Sequence, residues 1–125
     1  MLSSSAVYAV VPTKDLAAAK AFFSEKLQLE PIPGGRQFEM RYKCGDTYIQ
    51  VYQTPNAGMN QATTMGWSVD DVEATVADLK SRGVVFEEYD MPNIKTVNGI
   101  VTDENGKAAW FKDPDGNILC VSSVS

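Results

Sequence analysis

At 125 residues the chain has the length of one domain, and its 44% hydrophobic and 22% charged residues place it with globular proteins, away from the disordered and fibrous classes. Eleven Lys and Arg against sixteen Asp and Glu leave a net charge of -5, which argues against a surface that tracks nucleic-acid phosphates or anionic lipid. Histidine is absent, so Ser–His and Cys–His dyads are excluded and the commonest transition-metal ligand is missing.

No run approaches the roughly 18 apolar residues of a membrane span, and the start MLSSSAVYAVVPTKDL lacks the basic region of a signal peptide. The expectation is a cytoplasmic protein with no membrane partner. In that compartment Cys44 and Cys120 are expected as two free thiols.

Taken in chain order, the first element is a β-rich run, VYAVVPT. Asp15 follows at a helix start, with Leu16, Ala19, Phe23 and Leu27 at helical spacing after it. Pro31, Pro33 and the pair Gly34-Gly35 stop that helix, and FEMRYKCGDTYIQVYQ then reads as two strands around a Gly45-Asp46 turn. PNAGMNQAT has the composition of a linker.

The plan then repeats. TMGWSVDDVEATVADLKSRG gives a strand, a helix opened by Asp71 with Val72, Val76 and Leu79 on one side, and a stop at Gly83. VVFEEYD and AAWFKDPDGNILCVSS supply strand material, with Asp115-Gly116 as a tight turn. The two helix-opening aspartates lie 56 positions apart, but Gln50 and Cys120, which match in the last strands, lie 70 apart. The stretch MPNIKTVNGIVTDENGK absorbs the difference as a longer hairpin or a loop over a cleft. The expected organisation is therefore β-α-β-β-β twice, with module 1 at about residues 1–55 and module 2 at about 62–125, packed as one unit because each module alone is near the lower size limit of a stable core.

The repeat and its ending FKDPDGNILCV resemble the vicinal oxygen chelate superfamily, which includes glyoxalase I, extradiol dioxygenases and bleomycin-resistance proteins. The resemblance implies an α+β fold in which two tandem β-α-β-β-β modules form a curled mixed sheet around a shared cleft. Metal-dependent members place four ligands there, on the first and last strand of each module. Carried over, those positions are Tyr8, Gln50, Thr64 and Cys120. Only Gln50 matches a usual ligand type, because a phenol and an aliphatic hydroxyl ionise only at high cost, and one thiolate beside one amide falls short of a catalytic zinc site.

Strand alternation adds Tyr48 and Tyr52 to the face of Gln50, and Trp110 is the expected neighbour of Cys120. The opposite faces carry Val7, Ala9 and Val11, then Ile49 and Val51, then Phe111, Leu119 and Val121, and should pack on the helices. The expected site is thus Tyr8, Tyr48, Gln50, Tyr52, Thr64, Trp110 and Cys120, aromatic and neutral, with no catalytic residue assigned. Gln50 could instead bond Tyr8 or Thr64 across the cleft, and Cys120 reads as an inert thiol without a cation to activate it. Lys95 and Lys112 read as surface lysines. The run Glu87, Glu88 and Asp90 would favour a cationic ligand if it flanked the cleft.

The function these features imply is a metal-independent, cofactor-free binding protein, similar to bleomycin-resistance proteins, that holds an aromatic or cationic small molecule and works as a homodimer. The alternative is an enzyme of the glyoxalase or dioxygenase type with an atypical metal site. No feature suggests nucleic-acid binding.

Overall fold

A computed structural model describes residues 2–124, so Met1 and Ser125, the outermost residues of the two expected modules, lie outside the described chain. The first strand is Ala9–Thr13 (β1). Asp15 then turns the chain into the helix Leu16–Lys20 (α1): in an extended conformation, its carboxylate accepts from the N–H groups of Ala17 and Ala18 and satisfies donors that the first turn leaves free. The helix widens into π-turns over Ala21–Lys26, where Leu27 N–H reaches the Phe22 carbonyl. The wider turn brings both Phe22 and Phe23 onto the core side, with edge-to-face rings 5.3 Å apart, where the sequence pattern had assigned only Phe23.

Glu30–Pro31 (β2), Glu39–Cys44 (β3) and Thr47–Gln53 (β4) complete a sheet of order β1-β4-β3-β2, with β1 parallel to β4. The second module repeats the plan. Thr63–Ser68 (β5) leads to the helix Val72–Ser81 (α2), whose first turn is capped by Asp71 through Ala74 N–H. Gly83, at φ 89°, closes α2 in a left-handed conformation: Gly83 N–H bonds the Lys80 carbonyl and Val84 N–H the Leu79 carbonyl. Ile100–Asp103 (β8), Gly106–Lys112 (β9) and Ile118–Val124 (β10) join β5 in the order β5-β10-β9-β8. The fold is α+β, two β-α-β-β-β modules with two four-stranded mixed sheets.

The additional length of module 2 forms a hairpin, Asp90–Met91 (β6) against Ile94–Lys95 (β7). Glu88 holds its base, accepting from the Thr96 hydroxyl at 2.6 Å and Gly99 N–H at 2.8 Å, which keeps its carboxyl below the ordinary value. VVFEEYD meets the four-stranded sheet through one bridge, Phe86 to Phe111, and through Glu87 N–H to the Trp110 carbonyl, while its last residue Asp90 belongs to β6, and the sheet strand expected there falls at β8 instead.

One core joins both modules. Val11, Ile49 and Val51 of the first sheet and Phe111, Leu119 and Val121 of the second are buried around Phe22, Phe23 and the α2 residues Val72, Val76 and Leu79. Phe22 of the first helix lies 6.2 Å from Phe111 of the second sheet, so the first helix packs beyond its own module. Val7 does not join them: it precedes β1 and is 82% exposed. No helix is long and apolar enough to cross a membrane among the described residues, and Cys44 and Cys120 are free thiols.

The DPDGN turn between β9 and β10 fastens module 2 to module 1. Buried Asn117 donates from Nδ2 to the Pro12 carbonyl at 2.9 Å and to Asp113 at 2.8 Å, and Asp115 accepts from Thr13 Oγ1 at 2.5 Å and Lys14 N–H at 2.8 Å. The linker seats on the same turn, where a Cβ at Gly58 would lie 2.4 Å from the Asp115 carbonyl oxygen, and Gly58 has φ 81°. Asn117→Ala is expected to lower unfolding free energy by roughly 1–3 kcal/mol, because buried acceptors lose their donors. Gly58→Ala should cost at least ~1 kcal/mol from its backbone angle alone, with the clash in addition. Urea denaturation of both variants checks this.

Candidate functional site

The first sheet has a core face and an opposite face. Val10, Gln50 and Arg41 are direct partners across β1, β4 and β3, and Tyr52 pairs with Glu39, so these five side chains share the face turned away from Val11, Ile49 and Val51. Tyr48 joins them by alternation, and Tyr8, just before β1, stacks on it with ring centroids 4.8 Å apart and planes 10° apart. Tyr8, Val10 and Tyr52 are 47%, 42% and 39% exposed. A groove of about 370 Å³ runs along this face between Val10, Phe38 and Tyr52 on its apolar parts and Arg36, Glu39 and Gln50 on its polar ones.

Gln50 bonds neither Tyr8 nor Thr64. Its amide nitrogen donates to Glu39 on the adjacent strand, and the other Glu39 oxygen accepts from Arg36 N–H at 2.9 Å. Those two donors, the backbone one first, hold the Glu39 carboxyl below the ordinary range. Glu39 and Arg41 were not among the expected site residues. The signal was present in FEMRYKC, where Glu39, Arg41 and Lys43 alternate with Met40 and Tyr42, but it takes the β3–β4 register to place them beside Gln50.

Thr64, Trp110 and Cys120 belong to the second sheet. Trp110 pairs with Cys120, which pairs with Gly66; a Cβ at Gly66 would stand 3.2 Å from the Cys120 carbonyl oxygen and 3.5 Å from its Cβ. Thr64 is the extra residue of a β-bulge, since Thr63 pairs with Ile118 and Met65 with Leu119, and its hydroxyl is buried without a partner. Trp110 meets Tyr89 edge to face at 5.5 Å. Tyr89 was not expected either, because it lies in the irregular segment after α2; burial, then the Glu87 charge, raises its phenol pKa.

Burial also pushes the Cys120 thiol up, against a smaller opposing effect of a backbone hydrogen bond with Ala109, and Sγ–H points to the Val121 carbonyl at 3.6 Å. This is the neutral, unactivated thiol expected from the sequence. No hydrogen bond or ring contact among the described residues joins Tyr8, Tyr48, Gln50 and Tyr52 to Thr64, Trp110 and Cys120.

These side chains do not make a donor set for a divalent metal. Tyr8 is stacked on a ring, the Gln50 amide is turned to a carboxylate, and burial raises the cost of ionising Cys120. Among the described residues no three His, Cys, Asp or Glu side chains gather into a metal-holding group. Two members of the acidic run have partners, Glu88 at the hairpin base and Glu87 3.4 Å from Lys112, and Asp90 is exposed on β6. A separate cavity of about 230 Å³ lies between Leu27, Leu29, Trp67 and Leu79, at the junction of the modules; it is largely apolar and contains none of the expected site residues.

The chain belongs to the Glyoxalase/Bleomycin resistance protein/Dioxygenase superfamily, whose profile matches residues 5–121. Its structure is similar to that of TnmS3, an antibiotic binding protein from Streptomyces sp. CB03234, at 25% identity and a TM-score of 0.72, covering 100% of this chain and 99% of that one. It also resembles a lactoylglutathione lyase from Agrobacterium tumefaciens, at 20% identity and a TM-score of 0.66 over 96% and 93% of the two chains. A fosfomycin resistance protein from Listeria monocytogenes shares the fold at 14% identity, with a TM-score of 0.72 over 98% and 92%. No curated protein matches the sequence.

Two measurements test these environments. In peptide-mapped alkylation of the folded protein near pH 8, Cys120 should react several-fold more slowly than in the unfolded chain, because burial both shields it and raises its pKa. For Glu39 the folded pKa is the lower one, so its contribution to stability is present above the unfolded value and lost as pH falls through the folded value. An NMR titration should give Glu39 a midpoint below that of an unstructured glutamate, and Gln50→Ala should move it upward.

Proposed function

We propose that this chain is a metal-independent binding protein for an aromatic small molecule, active in the cytoplasm as a homodimer. The observation that carries the reading is the face of the first sheet. At and around the first-strand and last-strand positions where relatives that use a metal have ligands, it presents the Tyr8–Tyr48 stack, exposed Tyr52 and the Gln50 amide. Aromatic rings left partly exposed beside a few hydrogen-bonding groups suit a flat ligand better than they suit water.

The similarity to TnmS3, which binds an antibiotic, supports the reading. Dimerisation gives the groove its missing wall: its lining comes wholly from the first module, and β1 and β5 each have one unpaired edge. Thr64, Trp110 and Cys120 of a second copy are the natural complement. A cationic ligand is the second reading: Glu87 and Glu88 already have partners within the fold, and Asp90 of the same run is exposed on β6.

The test has two parts. Zinc, nickel or manganese should not raise Tm, and the purified protein should contain no stoichiometric metal; one tightly held equivalent would overturn the metal-independent reading and favour the glyoxalase or dioxygenase type. A neutral flat aromatic such as 2-naphthamide should quench tryptophan fluorescence saturably, and Tyr52→Ala or Trp110→Ala should weaken that binding about tenfold while changing Tm little. Light scattering should give twice the 13.6 kDa chain mass.

A further inference from the structure

We propose that the apolar cavity at the junction of the modules is a second binding site, which takes a small neutral molecule of one or two fused aromatic rings. The inference goes beyond the groove on the first sheet and does not depend on it, since the two sites share no residue.

Protein interiors leave few voids larger than a water molecule, so an apolar space of about 230 Å³ between two packed modules is a feature to explain. Its walls come from both modules: Leu27 and Leu29 from the chain after α1, and Trp67, Leu79, Phe111 and Val121 from module 2. An apolar cavity of about 150 Å³ admits benzene, whereas sites for drug-sized ligands begin at about 300 Å³. The space here lies between those limits. It suits a single or fused ring and is too small for a helix or strand of a partner protein.

The walls are held from closing on this space. Leu27 N–H bonds the Phe22 carbonyl and Leu29 N–H the Phe23 carbonyl, both at 3.0 Å, so the wide turns that end the first helix pin the backbone of both leucines. Gln28 between them has φ 55°, a left-handed angle that a residue other than glycine adopts at a cost, and such π-turns recur at functional sites. On the opposite wall the Trp67 and Phe111 rings are parallel, with planes 8° apart and centroids 6.2 Å apart, and Leu79 and Val121 are buried. A ligand entering a space with fixed walls gains apolar contact without ordering new side chains.

The rim decides the charge of the occupant. Arg82 Nε donates across the modules to the Lys26 carbonyl at 2.6 Å, and its Nη2 lies 2.7 Å from Asp78 Oδ2. The Thr75 hydroxyl donates to the Asp71 carbonyl at 2.8 Å. Arg82, Asp78 and Thr75 all line the mouth, so its one cation and one anion are already paired with each other and its threonine is committed to the helix. A charged ligand would give up its hydration without meeting a free opposite charge, whereas a neutral ring loses little to water and gains the Trp67 face.

The test is a titration of the unmutated protein with indole, followed at the methyl groups by NMR. Saturable shifts are expected at Leu27, Leu29, Leu79 and Val121 and not at Val10 of the groove, and the cation N-methylquinolinium should bind at these methyls at least about tenfold more weakly. Thr75→Phe, which fills the mouth from the second helix, should weaken indole binding about tenfold or more without lowering Tm. Shifts confined to Val10, no saturable shift, equal binding of the cation, or undiminished binding in folded Thr75→Phe each overturn the proposal, and the wild-type methyl map decides the matter should that variant not fold. Shifts at the same four residues on dilution, with no response to indole, would assign the space to a side chain of a second copy and overturn it as well.

Discussion

The turn Asp113-Pro-Asp-Gly-Asn117 is the constraint on which the rest of this structure depends. This five-residue turn of module 2 binds the end of β1, the entry to α1 and the linker of module 1, with donors and acceptors matched and Asp113 and Asn117 buried. Asp113 is buried there, and desolvation raises its pKa although Asn117 and Asp115 N–H groups bond it. A network of this kind is stable only when complete, because each buried polar group is costly once its partner is gone. It holds the two modules together beside the shared core around Phe22, Phe23 and Phe111.

Because the end of β1 is fastened from outside its own sheet, the position of the groove wall is fixed too. β1 runs parallel to β4, so whatever holds Pro12 and Thr13 sets where Val10 and Tyr8 stand against Gln50 and Tyr48. The polar part of the wall is ordered by a second, local network on β3 and β4, in which Glu39 accepts from the Gln50 amide and from Arg36 N–H and Arg41 Nε is buried without an acceptor. Stacked aromatic rings held in place by a sheet lose little side-chain entropy when another group covers them.

Much of this was legible in the sequence, for reasons that can be named. Asp15 and Asp71 open their helices because a carboxylate before a helix has one good use, and Gly83 ends the second because only glycine takes a positive φ there without strain. Val72, Val76 and Leu79 are buried as their spacing demands. The DPDGN motif was legible as a turn, but its role as the joint between modules was not, since nothing local to it announces Pro12 or Gly58 as partners. Phe22 was not picked out because helical spacing presumes 3.6 residues per turn, and the π-turns there are wider. Val7 was misassigned because alternation was extended one step beyond the strand's actual start.

The sequence by itself determined the repeated β-α-β-β-β plan, the superfamily, the two thiols and a site without histidine, because helix caps, turn residues and residue chemistry act over a few positions. Only the tertiary structure decided that Gln50 answers to Glu39, that Arg41 and Tyr89 belong to the site faces, that Glu87 and Glu88 are spoken for, and that the expected site residues divide between two sheets. Those facts depend on the register between strands and on contacts between residues far apart in the chain. A strand's own alternation tells which side chains share a face, but not which face of which neighbour they will meet.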